Sequence, residues 1–160
     1  MAKIRVAQIG VGHDHAPGYM DTIRRMPETY EVVGVCAESA EYAHMLETCP
    51  SYRDIPRRDR DDILGDSTID AILVETEEHS LVPNTRLAIE AGFPVHMDKP
   101  GGEDLSAFTA MVRLAEAKRL PFQMGYMYRY NPAVRMAEQM ARSGELGDII
   151  AVDAQMSVRH

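Results

Sequence analysis

The stretch "IRVAQIGVGHDHAPGYM", residues 4–20, decides the fold. Its first six residues form an apolar run of strand length, its last residues open a helical pattern, and Gly10-Val11-Gly12 lies between them. A G-x-G turn carries meaning in this strand-to-helix setting. The first glycine makes the tight turn, and the second lets a phosphate approach the backbone. The helix that follows offers unpaired N–H groups and the positive end of its dipole. The place of a third glycine holds His15. Pro17 suits only a first helical turn, so the helix is expected to begin near Asp14 or later, with Asp14 as candidate N-cap.

Outward from this turn, short apolar runs alternate with helical patterns. Strands are expected at "YEVVGVC" (30–36), "SYRD" (51–54), "DAILVE" (70–75), "FPVHMD" (93–98) and "PFQMGYMY" (121–128), giving six with the first. Between them, helices are expected near 19–26, at 40–48 and 60–65, from Val82 to Ala91 with Gly92 as stop, and over 104–119. Alternating strands and helices predict parallel pairing through right-handed crossovers. The strand runs read as apolar on both faces, as a sheet covered on both sides requires. The expected class is therefore α/β, a Rossmann-type doubly wound parallel sheet.

After residue 130 the pattern changes. Residues 131–144 read as a helix from Pro132 to Gly144. Residues 147–160 alternate, with Ile150, Val152, Ala154, Met156 and Val158 on one side, which predicts a half-buried antiparallel strand. The expected division is a dinucleotide-binding domain over 1–128 and, over 129–160, the beginning of a second α/β domain that is cut short.

The whole chain has 160 residues and a net charge of −8. That charge argues against a nucleic-acid partner, which needs clustered Lys and Arg. No apolar run is long enough for a membrane span, and the N-terminus carries no secretory pattern. Cys36 and Cys49 are the only cysteines, and they read as reduced thiols in a cytoplasmic protein.

Several residues fall where such a fold gathers its chemistry, beyond the carboxyl ends of the strands. Gly10, Gly12 and His13 form the turn after the first strand. A dinucleotide site also wants an acid after the second strand for the ribose hydroxyls. Ala37 holds the usual position and Glu38 follows it; Glu38 either reaches the ribose or opens a solvated helix start. No arginine adjoins in sequence, which favours NAD over NADP. His13, His15, His79 and Asp98 all follow strand ends, and paired histidines with a carboxylate suit zinc. A rim of hydrogen-bonded histidines is the alternative, and it is the expectation here, with no metal.

Two further segments carry a resemblance. "VHMDKPGGEDLSAF" (95–108) and "GYMYRYNPAV" (125–134) resemble the Gfo/Idh/MocA family, which includes glucose–fructose oxidoreductase and inositol dehydrogenase. "IDAILVETEEHSLVPNTRLAIEAGFPVHMDKP" (69–100) runs in register with that family's strand, Thr-Pro-x-x-x-His turn, helix, strand and Glu-Lys-Pro motif. The resemblance extends over essentially the whole chain. It implies an NAD(P)-dependent oxidoreductase moving hydride to or from a small-molecule substrate, a sugar, cyclitol or related polyol, and a homo-oligomer in the full-length form. It implies that Lys99 is the catalytic lysine and that Thr76, His79, Asp98 and Arg129 border the cofactor. Asp98 stands where the family has Glu, Glu77 where it has Pro, and His15 replaces the third glycine. The family's second domain supplies the substrate pocket and a catalytic histidine and aspartate, so this chain alone is expected to be inactive. Two other functions compete: a binding protein of Rossmann type that has lost its cofactor, and a metal-dependent hydrolase or lyase using His13, His15 and His79.

Overall fold

The computed structural model describes residues 2–156. It divides into two compact units, residues 1–125 and 126–160.

The first unit is built on five strands, β1 (Ile4–Ile9), β2 (Tyr30–Cys36), β3 (Ala71–Val74), β4 (Val95–Met97) and β5 (Phe122–Met124). They form one parallel sheet in the order β2-β1-β3-β4-β5. The chain runs outward from β1 to β2, then returns to β3 on the other side of β1. The order therefore reverses between β1 and β3, and the crevice at such a reversal, beyond the carboxyl ends of the strands, is where open α/β sheets bind ligands. This is the doubly wound Rossmann-type fold that the alternation predicts.

Six helices accompany the strands among the described residues: α1 (Ala16–Arg24), α2 (Met45–Thr48), α3 (Arg60–Leu64), α4 (Glu78–Glu90), α5 (Leu105–Lys118) and α6 (Pro132–Arg142). Ile9, Ile72, Val74 and Met97 from the sheet join Leu81 and Ile89 of α4 and Met111 of α5 in one buried cluster. Burying each such side chain contributes roughly 1.5–3 kcal/mol. The opposite face carries a smaller apolar patch of Val6, Leu73 and Ile23 from α1.

The structure departs from the sequence expectations in five places. The strand expected at 51–54 is absent: Pro50–Tyr52 is a 3-10 helix, and a single parallel bridge, Val35 to Arg57, flanks β2 instead. The sheet thus has five strands rather than six, because Pro56 punctuates the segment and leaves only one bridging residue. Asp14 does not cap α1. The N-cap is His15, without a side-chain cap bond, and Pro17 lies in the first turn. α4 starts at Glu78 and holds Pro83 inside, where the spacing predicted a start at Val82. The carbonyl left without a donor is that of His79 in the exposed first turn, so its loss costs little.

The fourth departure concerns the faces of the sheet. The strands are not apolar on both sides, since Gln8, His96 and Gln123 share one face by register. The fifth lies in the second unit. There Met127–Tyr130 is a 3-10 helix, and the Asn131 side chain caps α6 by accepting from the N–H groups of Ala133 and Val134. The strand expected from residue 147 does not form over the described residues. Ile150 and Val152 are 97% and 84% exposed. An extended segment holds its conformation through ladder bonds to a neighbour, and residues 147–156 pair with none. Residues 157–160 lie outside the described residues.

Candidate active site

The site occupies the reversal between β1 and β3. Gly10 ends β1 at φ +92°, a left-handed conformation that favours glycine. A Cβ there would also collide with Thr76, which is buried against the turn. This is the physical role of Thr76: its backbone and methyl group press on a position that must lack a side chain.

Glu38 supplies the anion that the turn accommodates. Its carboxylate accepts from Val11 N–H at 2.8 Å and Gly12 N–H at 2.9 Å, and from Glu77 N–H at 3.2 Å. A Cβ on Gly12 would strike the same carboxylate. Glu38 is therefore fixed on the glycine turn rather than opening a solvated helix start. A cleft of about 350 Å³ opens beside it, lined by Gly12, His13, Glu77, His79 and Lys99 among others. Asp14, Glu78 and Glu103 also reach this cleft, so carboxylates outnumber its one lysine.

Below the cleft lies a buried polar cluster. His13 and Asp98 are 3% and 0% exposed in their side chains, and His15 is 32% exposed. Asp98 Oδ2 lies 2.8 Å from His13 Nδ1 and 2.9 Å from His15 Nδ1. Asp98 Oδ1 accepts from Lys99 N–H at 2.6 Å. His13 Nε2 lies 2.9 Å from the Lys99 carbonyl. The hydrogen bond to Asp98 raises His13 above the ordinary histidine value, against the lowering effect of burial. Burial alone would raise Asp98; the bonds from His13 and Lys99 N–H outweigh it and hold the carboxyl below its usual range.

Three neighbours complete the cluster. Glu75 is wholly buried. Burial, helped by the charge of Asp98 and by a hydrogen bond shared with it, pushes its carboxyl up to about 9, so it is neutral at pH 7. Burial likewise pushes the Tyr19 phenol up to about 12. A side chain at Gly125 would come 2.6 Å from the Tyr19 hydroxyl and 2.7 Å from Asp98 Oδ1. His96 packs against Tyr19 with ring centroids 4.8 Å apart and ring planes tilted by 57°.

Of the residues expected from sequence, Gly10, Gly12, His13, Glu38, Thr76, Asp98 and Lys99 come together at this end of the sheet. His79 borders the cleft but stands apart from the His13–His15–Asp98 group, 69% exposed and 3.9 Å from a Glu77 oxygen. Arg129 belongs to the second unit and is exposed. Glu75, Tyr19, His96 and Gly125 are additions that sequence reading did not single out. The alternation Val95-His96-Met97-Asp98 held the signal for two polar residues on one face. The expectation of no arginine near the end of β2 is corrected. Arg57, Arg58 and Arg60 line a cavity of about 490 Å³ with Cys36, Ala37 and Ser39. Arg58 N–H donates to the Val35 carbonyl, so the chain returns to β2 some twenty residues after leaving it.

A parallel doubly wound sheet with a strand–Gly-x-Gly–helix turn at its reversal defines a protein of dinucleotide-binding class. A profile of the Gfo/Idh/MocA oxidoreductase family, with NAD-binding Rossmann fold, matches residues 4–126, and the chain belongs to that family. It is 26% identical over 154 residues to an inositol 2-dehydrogenase of Corynebacterium glutamicum, covering 92% of this chain and 44% of the relative. It is 26% identical over 163 residues to the dehydrogenase aclE of Aspergillus oryzae, covering 94% of this chain and 43% of that protein. The chain thus spans less than half the length of these relatives. Among solved structures, scyllo-inositol dehydrogenase of Lactobacillus casei with bound NAD(H) and scyllo-inositol aligns with a TM-score of 0.75 at 21% identity, over 92% of this chain and 43% of that one. Myo-inositol 2-dehydrogenase of Lactobacillus plantarum aligns with a TM-score of 0.78 at 23% identity, over 93% and 44%. No helix among the described residues is long and apolar enough to cross a membrane.

At the ribose edge the residues present fit the dinucleotide, since Glu38 presents a carboxylate acceptor beside the turn; a phosphate at the turn would take the Val11 and Gly12 N–H groups from that carboxylate.

Proposed function

We propose that this chain is the cofactor-binding part of an NAD(P)-dependent oxidoreductase whose substrate is a sugar, cyclitol or related polyol. One observation carries the reading. The 2.9 Å approach of His13 Nε2 to the Lys99 carbonyl ties the lysine-proline turn after β4 to the glycine turn after β1. The residue expected to act on substrate and the turn expected to hold cofactor therefore border one cleft.

The bound nicotinamide would supply or accept the hydride. The chain's own residues do the rest. Gly10 and Gly12 keep the turn open, and Glu38 offers its carboxylate to ribose hydroxyls. Lys99 extends an ammonium toward the reacting oxygen, where it donates a hydrogen bond and stabilises developing negative charge. Residues 126–160 begin the substrate domain in this reading. A second reading of cofactor choice rests on the cavity beside Ala37, where Arg57, Arg58 and Arg60 lie with Asp59 and Asp62 and Arg58 is paired with Asp66 at 2.7 Å, since arginines there suit a ribose 2′-phosphate.

Fluorescence titration with NADH and NADPH tests the placement, and Gly12→Val is the decisive variant. Its branched side chain is expected to abolish binding, and unchanged affinity would overturn the assignment. In the full-length protein, Lys99→Ala is expected to lower kcat on the order of 100-fold while cofactor affinity stays near that of the parent.

A further inference from the structure

We propose that His13, His15 and Asp98 form a binding site for one divalent transition metal of the zinc type. The donor atoms already converge. His13 Nδ1, His15 Nδ1 and an Asp98 oxygen lie within 4.8 Å of one another, and both nitrogens approach the same oxygen, Oδ2, at 2.8 and 2.9 Å.

The hydrogen bonds around His13 decide what lies between these atoms. A carbonyl only accepts, so the contact from Nε2 to Lys99 O fixes the ring proton on Nε2. The backbone N–H of His15 lies 3.1 Å from His13 Nδ1, and the Asp98 carboxylate lies 2.8 Å from the same nitrogen. A cation must stand between Nδ1 and Oδ2: a proton in the metal-free protein, exchanged for the metal ion on binding, since the one lone pair of Nδ1 serves either.

The surroundings are those of a metal site. A ligating histidine commonly donates its other N–H to a backbone carbonyl, which fixes tautomer and orientation, and His13 does so to Lys99. A ligating carboxylate is itself held by hydrogen bonds, and Asp98 Oδ1 is held by Lys99 N–H at 2.6 Å. Two nitrogens and one oxygen suit zinc and its neighbours rather than magnesium or calcium, which prefer oxygen throughout. Three protein ligands leave a position open, as in sites where zinc holds water or substrate oxygen. His13 lines the cleft with Gly12 and Lys99, so that position faces the proposed substrate region. Metal binding itself does not depend on the hydride-transfer reading.

The test is calorimetric titration of the chelator-treated protein with Zn²⁺, with Co²⁺ as a spectroscopic probe. Binding of one ion per chain is expected, with visible cobalt bands of a low-coordinate site. His15→Ala, at the partly exposed ligand, is expected to weaken binding by at least about 100-fold, beyond the roughly 10–100-fold typical of outer-shell changes. His79→Ala, in the same cleft but outside the cluster, is expected to leave it unchanged. Nitrogen-15 spectra of the unmodified protein give a readout independent of any variant: Zn²⁺ should shift Nδ1 of His13 and His15 and leave their Nε2 signals in place. Absence of binding, equal weakening by His15→Ala and His79→Ala, or coordination through Nε2 would each overturn the site.

Discussion

On the side packed by α4 and α5, the sheet presents Ala7, Ile9, Ile72, Val74, Val95 and Met97, all nearly or fully buried. On the other side, the same strands and their carboxyl ends present Gln8, Glu75, His96 and Asp98. Successive residues of a strand point to opposite faces, so Met97 and Asp98 differ in fate by one position. The apolar face needs only volume and closure, and two helices supply both. The polar face needs each donor matched to an acceptor, because an unpaired polar atom out of water costs about 1–3 kcal/mol. Glu75 meets that demand by keeping its proton, which burial and the neighbouring Asp98 favour, at the centre of the site.

The contrast can be broken from the apolar side first. Ile9→Ala empties a fully buried position in the larger cluster and is expected to cost about 2–5 kcal/mol in denaturant unfolding. A loss below 1 kcal/mol would mean that this face is not the main source of stability.

On the polar side, Glu75 makes stability depend on pH. Its folded value is raised from 4.5 to about 9, so the unfolded chain releases this proton at lower pH than the native one. Its contribution is fully present below about pH 4.5 and is lost as pH rises toward 9, at up to about 1.4 kcal/mol per unit. Glu75→Gln, which cannot ionise, is expected to lose less stability than the parent between pH 5 and 8. Parallel unfolding curves across that range would remove Glu75 as the cause.

The smallest effect concerns the cover of the apolar face. Asp104 accepts from Ser106 and Ala107 N–H at the start of α5. Asp104→Ala is expected to cost about 1 kcal/mol with no change in cofactor titration, since it lies on the helix that closes the opposite face. A fall in cofactor affinity would show that the two faces are coupled.

Much of the fold was legible because its signals are local. Gly10 needs a left-handed turn, the apolar runs are of strand length, and Gly92 and Gly144 stand where helices stop. The short edge beside β2 was misplaced because one bridge at Arg57 leaves no periodic pattern. The segment from residue 147 was read as a strand because its alternation is strict, yet alternation states a preference, and a strand also requires a partner. Glu38 was recognised as a candidate but not its attachment, which depends on amides 26 and 27 positions earlier in the chain.

The sequence by itself determined the parallel α/β class, the glycine turn, the lysine-proline turn and the family they belong to, because each rests on neighbouring residues or on spacing. Tertiary structure alone decided that His13 and His15 meet Asp98, more than eighty positions away, that Glu75 is buried beside Asp98, and that three arginines return to the end of β2. These facts depend on which strands lie side by side and on what water is excluded. Neither is written in the order of residues until the sheet has closed.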